Sequence, residues 1–313
     1  MPVFSCMSKQ VLITGGAGLI GSHLTKLLLA NKYSVSHLSR TPKENSAVKT
    51  YTWDIEKQEI DTEALATADY VIHLAGANVG VQRWTRSYKH EILQSRTASA
   101  RLLYKTVKGL KKHKIKAFVS ASGINIYGDD TGSAEIIESS PHGNEFMVEV
   151  CEKWEAGADN MKEMGMRVVK LRTGMVLSTH GGALEKMITP FKLGAGAPLG
   201  NGQQYVSWIH IDDLCRMYQA AIEHETYEGV YNAVAPKPVT NEEFSKTIAK
   251  VLNKPFFLPN VPSFALKLVF GELAGLVLGG NKVSSRKIEE KGFTFHYRDV
   301  EAALRNLLVE EHA

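Results

Sequence analysis

The 313-residue sequence predicts an α/β protein in which a doubly wound parallel sheet carries a smaller C-terminal α/β lobe. Three observations support this prediction. Short apolar runs alternate with helical segments through the first two thirds of the chain, a glycine-rich turn separates the first strand from the first helix, and the composition changes after Thr173. Such alternation is typical of a parallel sheet covered by helices on both faces.

The individual elements follow from these patterns. Five β-branched or apolar runs are predicted strands, namely Val11–Thr14, Ser34–Ser39, Tyr70–Leu74, Ala117–Ser122 and Arg167–Leu171. Longer segments between them are predicted helices, namely Ser22–Ala30, Lys89–Leu110 and Phe146–Met164.

The C-terminal third predicts a second lobe. After Thr173 comes the glycine-rich loop "KLGAGAPLGNGQQ", and five of the ten prolines lie from Pro236 onward. We expect residues 8–172 to form the sheet domain, with about 206–233 returning to it. Residues 173–205 and 234–313 then form the smaller lobe. Within it, Phe264–Gly280 is a predicted helix packed on the protein, because it is short for a membrane span and carries two charges.

Composition and charge exclude several classes of protein. A hydrophobic share of 44%, a charged share of 22% and a net charge of +4 describe an ordinary soluble domain. The one basic run, Lys108–Lys116, has no interleaved aromatic residues, so we predict neither nucleic-acid nor membrane partners. Three cysteines with no metal-type spacing predict no metal site and a reducing, cytoplasmic setting. Residues 1–10 read as a lead-in, with Met7 an alternative start.

The stretch "VLITGGAGLIGSHL", from Val11 to Leu24, predicts a phosphate-binding turn. Gly15 allows a tight turn, Gly18 lets the backbone approach a pyrophosphate, and Gly21 lets the next helix pack closely. The N-terminal N–H groups of that helix then face the phosphates. We therefore predict cofactor contacts from these three glycines and from their neighbours Gly16, Leu19 and Ile20.

The end of the second predicted strand indicates which dinucleotide binds. An acidic residue there would bind the ribose 2′-hydroxyl, whereas this chain has Ser39 and Arg40. A hydroxyl and a guanidinium suit a 2′-phosphate, although an arginine at a strand end is also common on surfaces. The sequence thus favours NADP(H) over NAD(H).

Several motifs together resemble the extended short-chain dehydrogenase/reductase family, which includes nucleotide-sugar epimerases. They are "TGGAGLIG" (14–21), "WDIE" (53–56), "HLAGAN" (73–78), "VSASGINIYG" (119–128) and "SWIHIDDL" (207–214). More narrowly, "RWTRSYKHEILQSR" (83–96), "FMVEVCEKWE" (146–155) and the C-terminal segment resemble the YfcH-type epimerase-like subfamily. The resemblance covers nearly the whole chain from Lys9 and implies a Rossmann-type fold. Members of the family are often dimers, so a homodimer is one expectation.

The resemblance also implies roles for particular residues. Asp54 and Ile55 would lie beside the adenine, and Ser122 would be the active-site serine, with Ser120 an alternative on the same strand face. Tyr127 is the other catalytic candidate; it would either point over the nicotinamide or be a buried structural tyrosine. The residues expected along the ribose and diphosphate are Leu74, Ala75, Gly76 and Ala77.

One departure from the family pattern concerns the catalytic pair. Family chemistry uses a tyrosine followed four residues later by a lysine, and here those positions hold Phe146 and Val150. A phenyl ring cannot exchange a proton, so the usual proton relay, worth roughly 10²- to 10⁴-fold in rate, does not transfer to this chain. Lys153 would reach the ribose only if the helix sat differently, and Cys151 and Glu155 read as packing residues or as members of a site.

Substrate contacts are expected from residues around the cleft. Arg83 and Arg96 could bind an anion or pair with a local acid, and Arg172 could point into the cleft between the lobes. Gln203 and Trp208 either face the cleft or pack beneath it. In "HIDD" we expect Asp212 to cap a helix and Asp213 to lie near its positive end, rather than a metal site.

Two functions remain open from the sequence. The first is an NADP(H)-dependent, epimerase- or reductase-like enzyme acting on a small molecule such as a sugar nucleotide. The second is an NADPH-binding regulatory protein without turnover, which Phe146 and Val150 favour.

Overall fold

A computed structural model describes residues 8–41 and 48–310 of the chain. Residues 1–7, which contain Cys6 and Met7, therefore lie outside the described residues, as do 42–47 and 311–313.

An eight-stranded sheet lies at the centre of the protein. In spatial order its strands are β12 (Gly229–Ala233), β8 (Arg167–Thr173), β6 (Ala117–Gly123), β5 (Tyr70–His73), β1 (Gln10–Thr14), β2 (Ser34–Ser39), β3 (Lys49–Asp54) and β4 (Glu59–Ile60). All neighbours are parallel except β3 and β4. The predicted doubly wound sheet is confirmed. The strand order reverses between β1 and β5, and ligands of such sheets bind outside the carboxyl ends at this switch point.

Helices cover both faces of the sheet. Helices α1 (Leu19–Ala30) and α6 (Ile211–Glu223) cover one face, and α3 (Arg86–Gly109) and α4 (Phe146–Asp159) cover the other; the short α2 (Glu63–Thr67) precedes β5. Alternation along β1 explains the two layers, because Val11 and Ile13 face one core while Leu12 faces the other. The predicted helix over 146–164 is α-helical only to Asp159, and Asn160–Met164 forms a 3₁₀ turn.

A second apolar core is formed by elements that follow β8 in the chain. Trp208, Leu184 and Phe244 are at its centre. Its elements are β9 (Met175–Leu177), α5 (Gly182–Lys192), β10 (Tyr205–Val206), β11 (Trp208–His210), β13 (Val239–Thr240), α7 (Asn241–Val251) and α11 (Val300–Leu308). Strand β12 and helix α6 instead pack with the main sheet. The domain boundaries given above remain a prediction.

The apolar segment 264–280 folds into two short helices, not one. They are α8 (Ser263–Phe270) and α9 (Gly275–Leu278), joined by a 3₁₀ turn at Gly271–Ala274. The remaining strands and α-helix of the described residues are β7 (Glu135–Ile136), β14 (Lys282–Val283) and α10 (Arg286–Glu290), and a 3₁₀ turn at Ile124–Tyr127 follows β6. Leu266 of α8 is buried, whereas Phe264 and Leu268 are each 75% exposed. The helix therefore packs on the protein through one face and leaves an apolar face outside. Among the described residues, no helix is long and apolar enough to cross a membrane.

Helix α6 begins differently from the expectation. The ring of His210, not Asp212, caps it: His210 Nδ1 accepts from the Asp212 N–H at 3.1 Å. Asp213 is fully buried and accepts from the backbone N–H groups of His296 and Tyr297 at 2.9 and 2.8 Å. An unprotonated imidazole nitrogen accepts a hydrogen bond as a capping side-chain oxygen does, so the carboxylate of Asp212 is not needed as the cap and lies against His23 instead. Asp213 fastens the C-terminal segment to α6.

Candidate functional site

The glycine turn lies at the switch point, between β1 and α1. Gly15 has a φ of +72°, and its carbonyl accepts from the Gly18 N–H at 3.0 Å. A Cβ on Gly21 would lie 2.3 Å from the Gly15 carbonyl oxygen, so only glycine lets α1 approach the turn this closely. Gly18 precedes α1 and no side chain caps the helix there. The N–H groups of its first turn, from Leu19 onward, thus suit an anion.

Thr14 joins the turn to the loop after β5. Its Oγ1 accepts from the N–H groups of Leu74 and Ala75 at 3.2 and 3.1 Å and lies 2.7 Å from Nδ1 of His73. Burial, with the nearby charge of Arg96, lowers the pKa of His73 to about 3, so the imidazole is neutral. Sequence reasoning did not identify Thr14 or His73, although both stand at strand ends inside the quoted motifs.

Two further predicted cofactor residues line the turn. Gly16 faces the ring of His37, because a Cβ on Gly16 would lie 2.4 Å from that ring. Leu19 lies against the start of α5, where a Cβ on Gly182 would meet its side chain at 3.2 Å. Ile20 packs against the core beneath α1.

The ends of β2 and β3 form the next part of the edge. Arg40 is exposed at the end of β2, and Oγ of half-buried Ser39 accepts from the Thr41 N–H at 3.3 Å. At the end of β3, Asp54 Oδ1 accepts from the N–H groups of Lys57 and Glu56, each at 3.0 Å. The Lys57 N–H is the main reason that the pKa of Asp54 is lowered. Asp54 therefore closes a turn of its own, beside half-buried Ile55.

The hydroxyl of Ser122 is directed at a protein carboxylate. Ser122 Oγ donates to Oε1 of Glu155 at 2.7 Å, and both residues are buried between β6 and α4. Arg172 binds the same carboxylate through Nε at 2.8 Å and Nη2 at 3.1 Å. Arg172 is thus part of a buried ion pair and does not reach an open cleft. Ser120, on the same strand, donates to the Ala121 carbonyl.

Tyr127 belongs to the same buried group. Its hydroxyl donates to Asn232 Oδ1 at 2.7 Å and accepts from Nη1 of Arg172 at 2.9 Å. Burial raises the pKa of Tyr127, although Arg172 opposes the shift. Of the two readings offered by the sequence, the structure therefore matches the buried structural tyrosine.

The position of the family's catalytic pair is apolar. Phe146 begins α4, with its ring edge-on to Trp84 at 5.4 Å and Nζ of Lys89 5.1 Å from its centre. Val150 is fully buried. Lys153 is exposed and donates to Glu149 at 2.5 Å. The first turn of α4 contains neither a tyrosine nor a lysine, and the ammonium that lies over Phe146 belongs to Lys89 of α3.

Arg96 lies beneath the loop after β5. The residue is 8% exposed; Nη1 donates to the Ile92 carbonyl at 2.9 Å and Nη2 to the Ala77 carbonyl at 3.1 Å. A Cβ on Gly76 would lie 2.9 Å from its guanidinium carbon. Burial lowers the pKa of Arg96. The N–H of Ala77 donates to Oγ of Ser95, so two neighbouring α3 residues hold this loop.

The other predicted substrate residues are dispersed. Arg83 is exposed and donates to the Leu268 carbonyl of α8 at 3.2 Å. Gln203 is exposed and donates to Glu242 at 3.2 Å. Trp208 is fully buried and donates to the Lys237 carbonyl at 3.0 Å, so it packs beneath and does not face a cleft. Arg83 alone of these three lies in the segment that connects β5 to α3.

Comparison with known proteins agrees with this geometry. A model described as "NAD dependent epimerase/dehydratase family" matches residues 11–233. The chain belongs to the NAD dependent epimerase/dehydratase family. A second model, "Domain of unknown function (DUF1731)", matches residues 261–307.

Individual members of this family are similar over nearly the whole chain. The mouse epimerase family protein SDR39U1 is 36% identical over 96% of this chain and 99% of its own. YfhF of Bacillus subtilis is 34% identical over 96% and 98%. The crystal structure of human SDR39U1 (isoform 2) with NADPH superposes with a TM-score of 0.86 at 35% identity, covering 95% of this chain and 98% of that one. UDP-glucose 4-epimerase of Thermotoga maritima, at 20% identity and a TM-score of 0.73, shares the fold.

Proposed function

We propose that the protein binds NADP(H) at the carboxyl edge of its sheet and transfers hydride between that cofactor and a small molecule. The observation that carries the proposal is the exposed Arg40 at the end of β2, beside a glycine turn whose helix N-terminus has no side-chain cap. The similarity to human SDR39U1, whose crystal structure is described as containing NADPH, supports the same cofactor.

The residues at this edge fit a dinucleotide. A Cβ on Gly21 would collide with the turn, and a Cβ on Gly15 would lie 3.1 Å from the Ala75 N–H group, so the backbone is closely fitted where a pyrophosphate would sit. The glycine turn and the first turn of α1 would hold the diphosphate, and Ser39 with Arg40 the 2′-phosphate. The loop over Leu74–Ala77 would follow the ribose. When bound, the cofactor supplies or accepts hydride.

The proton accompanying hydride transfer has to come from a group other than Tyr127 and Ser122. Both hydroxyls are buried and bound to protein partners, and Phe146 has no exchangeable proton. The proposed reaction is reduction of a carbonyl or the reverse oxidation of an alcohol, with the proton taken from or released to solvent. An epimerase would return its cofactor unchanged after each turnover, whereas a reductase would consume NADPH.

A second candidate function is an NADPH-binding regulatory protein without turnover. The Ser122–Glu155 hydrogen bond favours it, because the family's active-site hydroxyl is occupied within the protein. Both candidate functions require a dinucleotide to bind at the carboxyl edge of the sheet, so cofactor binding is the first property to measure.

Calorimetric titration with NADPH, NADP⁺, NADH and NAD⁺ tests the cofactor proposal. We expect NADPH and NADP⁺ to bind more tightly than the other two. Arg40→Ala should weaken NADPH binding by about 10- to 100-fold, the cost of a lost charge-assisted hydrogen bond, and should leave NADH binding unchanged. Arg101→Ala, which removes an exposed arginine of α3, is the matched control. Failure of the wild-type protein to bind any of the four would overturn the proposal.

Turnover is tested separately on the cofactor-loaded protein. Absorbance reports NADPH consumption with carbonyl substrates, and product analysis reports conversion of sugar nucleotides. Conversion of either class supports the enzyme. Tight NADPH binding without conversion of any substrate across both panels supports the regulatory candidate.

A further inference from the structure

The guanidinium of Arg96 is buried without a carboxylate partner. No carboxylate in the described part of the chain pairs with it, and its Nε–H lacks a hydrogen-bond partner. The ionisable groups that most affect it are the Cys151 thiol and the Tyr88 phenol. Burial raises the pKa of Cys151 to about 11 and also raises that of Tyr88, so both are neutral at pH 7. Arg96 is therefore a cation without a nearby counter-charge.

Such an arrangement is unfavourable on its own. Burying a charge without a partner costs several kcal/mol, and buried arginines are ordinarily paired with acids. The contrast within this protein is clear, because Arg172 and Lys170 are also buried and both lie within 4 Å of Glu155, Arg172 at 2.8 Å and Lys170 at 3.9 Å. The missing negative charge at Arg96 points to an anionic ligand.

Arg96 lies next to the loop that is expected to follow the cofactor. It contacts the loop at Gly76 and Ala77, and that loop in turn contacts the glycine turn, since a Cβ on Gly15 would lie 3.1 Å from the Ala75 nitrogen. On its other side, the guanidinium lies 4.8 Å from the centre of the Trp154 ring of α4. Arg96 thus lies between the Leu74–Ala77 loop and α4.

Helix α4 is the element from which the resembled family supplies its catalytic lysine. Val150 stands at that position and packs in one apolar cluster with Ile92, whose carbonyl accepts from Arg96. Position 150 of α4 therefore carries no positive charge. The guanidinium of Arg96, on the neighbouring helix α3, lies next to the Gly76–Ala77 backbone.

We propose that Arg96 replaces the missing lysine as the cation that positions the nicotinamide-side ribose and phosphate of the cofactor. It acts through Ala77, whose carbonyl it binds, and through its positive charge beneath the Gly76–Ala77 backbone. Arg96 is accordingly a positioning residue, and the bound dinucleotide supplies its counter-charge. The inference rests on the proposed binding of NADP(H).

The test compares NADPH with 2′,5′-ADP, which carries the adenosine half of the cofactor with its 2′- and 5′-phosphates and lacks the nicotinamide riboside together with its phosphate. Both are titrated calorimetrically into the wild-type protein, Arg96→Lys, Arg96→Gln and the control Arg101→Gln, which changes an exposed arginine on the same helix. We expect Arg96→Gln to weaken NADPH binding by about 10- to 100-fold and to leave 2′,5′-ADP binding unchanged. Arg96→Lys keeps the charge, so it should weaken NADPH binding by a smaller factor and should also leave 2′,5′-ADP binding unchanged.

Three results would contradict the proposal. Equal losses for the two ligands would mean that Arg96 only supports the fold of the site, and equal binding by all variants would mean that it does not act on the cofactor. Equal affinity of Arg96→Lys and Arg96→Gln for NADPH would exclude a role for the charge. If Arg96→Gln does not fold, Arg96→Lys provides the test: weaker binding of NADPH with unchanged binding of 2′,5′-ADP supports the proposal, and any other result contradicts it. A wild-type protein that binds neither ligand would instead refute the function proposed above.

Discussion

Ser122 donates a hydrogen bond to Glu155 over 2.7 Å, in a buried pocket that also contains Arg172. The serine hydroxyl and the arginine guanidinium therefore bind the same carboxylate simultaneously. Ser122, which was expected to contact a substrate, therefore binds a buried carboxylate of the protein instead. The hydrogen bonds to Glu155 should contribute to the free energy of unfolding, which can be measured.

Glu155→Gln should strongly destabilise the protein. The substitution leaves Arg172 as a buried cation without a carboxylate, whereas Lys170 keeps its 2.6 Å contact with Asp159. Breaking a buried pair in this way typically costs about 3–5 kcal/mol. Urea unfolding followed by circular dichroism measures the loss. Glu152→Gln is the control, because Glu152 lies on the same helix and is half exposed, with a hydrogen bond to His142. A loss below about 1 kcal/mol for Glu155→Gln, equal to that of the control, would contradict the structure.

The sequence predicted the parts of this site that depend on neighbours along the chain. The glycine turn and the ends of β1 and β5 follow from local patterns, whereas the strand order that sets the switch point comes from the structure. Glu155 lies 33 residues from Ser122, and their pairing depends on how α4 packs on β6. The burial of Arg96 likewise depends on α3 lying under a loop almost 20 residues earlier. His210 caps α6 in preference to Asp212 because Asp213 and Tyr297 fix its surroundings, which short-range cap preferences do not capture.

The stability of the protein should fall as the pH drops from about 6.5 towards 3. Burial lowers the pKa of His73 to about 3 in the folded protein, from 6.5 as a free side chain. Between these values the unfolded chain binds a proton on this ring and the folded protein does not. His73 therefore contributes a loss of about 1.4 kcal/mol in the free energy of unfolding per pH unit as the pH falls.

Urea unfolding between pH 7 and pH 4 isolates this contribution. His73→Gln should show a shallower pH dependence than the wild-type protein, whatever its stability at pH 7. His224→Gln, at an exposed histidine, should keep the wild-type slope. The same slope in all three proteins would mean that His73 is protonated in the folded state.

Restoring the family's catalytic pair should be tolerated at one position and not at the other. Phe146 is half buried at the start of α4, so Phe146→Tyr should change the free energy of unfolding by less than about 1 kcal/mol. Val150 is fully buried among Tyr88, Ile92 and Met147, so Val150→Lys places an ammonium in an apolar cluster and should cost several kcal/mol. Val150→Ile is the control for a change of size alone.

Denaturant midpoints of the three variants separate these effects. A Val150→Lys protein as stable as the wild type would show that its ammonium reaches a polar partner, as a lysine bound to a cofactor ribose would. In that case the double variant Phe146→Tyr, Val150→Lys becomes the direct test of whether only the proton relay is missing from this chain.

Two glycines of the first 110 residues should respond in opposite ways to replacement by alanine. A Cβ on Gly21 would lie 2.3 Å from the Gly15 carbonyl oxygen and 2.7 Å from the Gly16 Cα, both backbone atoms that cannot move without opening the turn. Gly21→Ala should therefore cost about 1–3 kcal/mol in stability, as overpacking ordinarily does, and should also weaken NADPH binding. Gly109→Ala meets no atom within 4 Å at the end of α3, so it should be neutral or should stabilise by about 0.5–1 kcal/mol. Thermal unfolding with and without NADPH measures both quantities. A Gly21→Ala protein that keeps full stability and full NADPH affinity would show that α1 does not need to pack this closely on the turn to bind the cofactor.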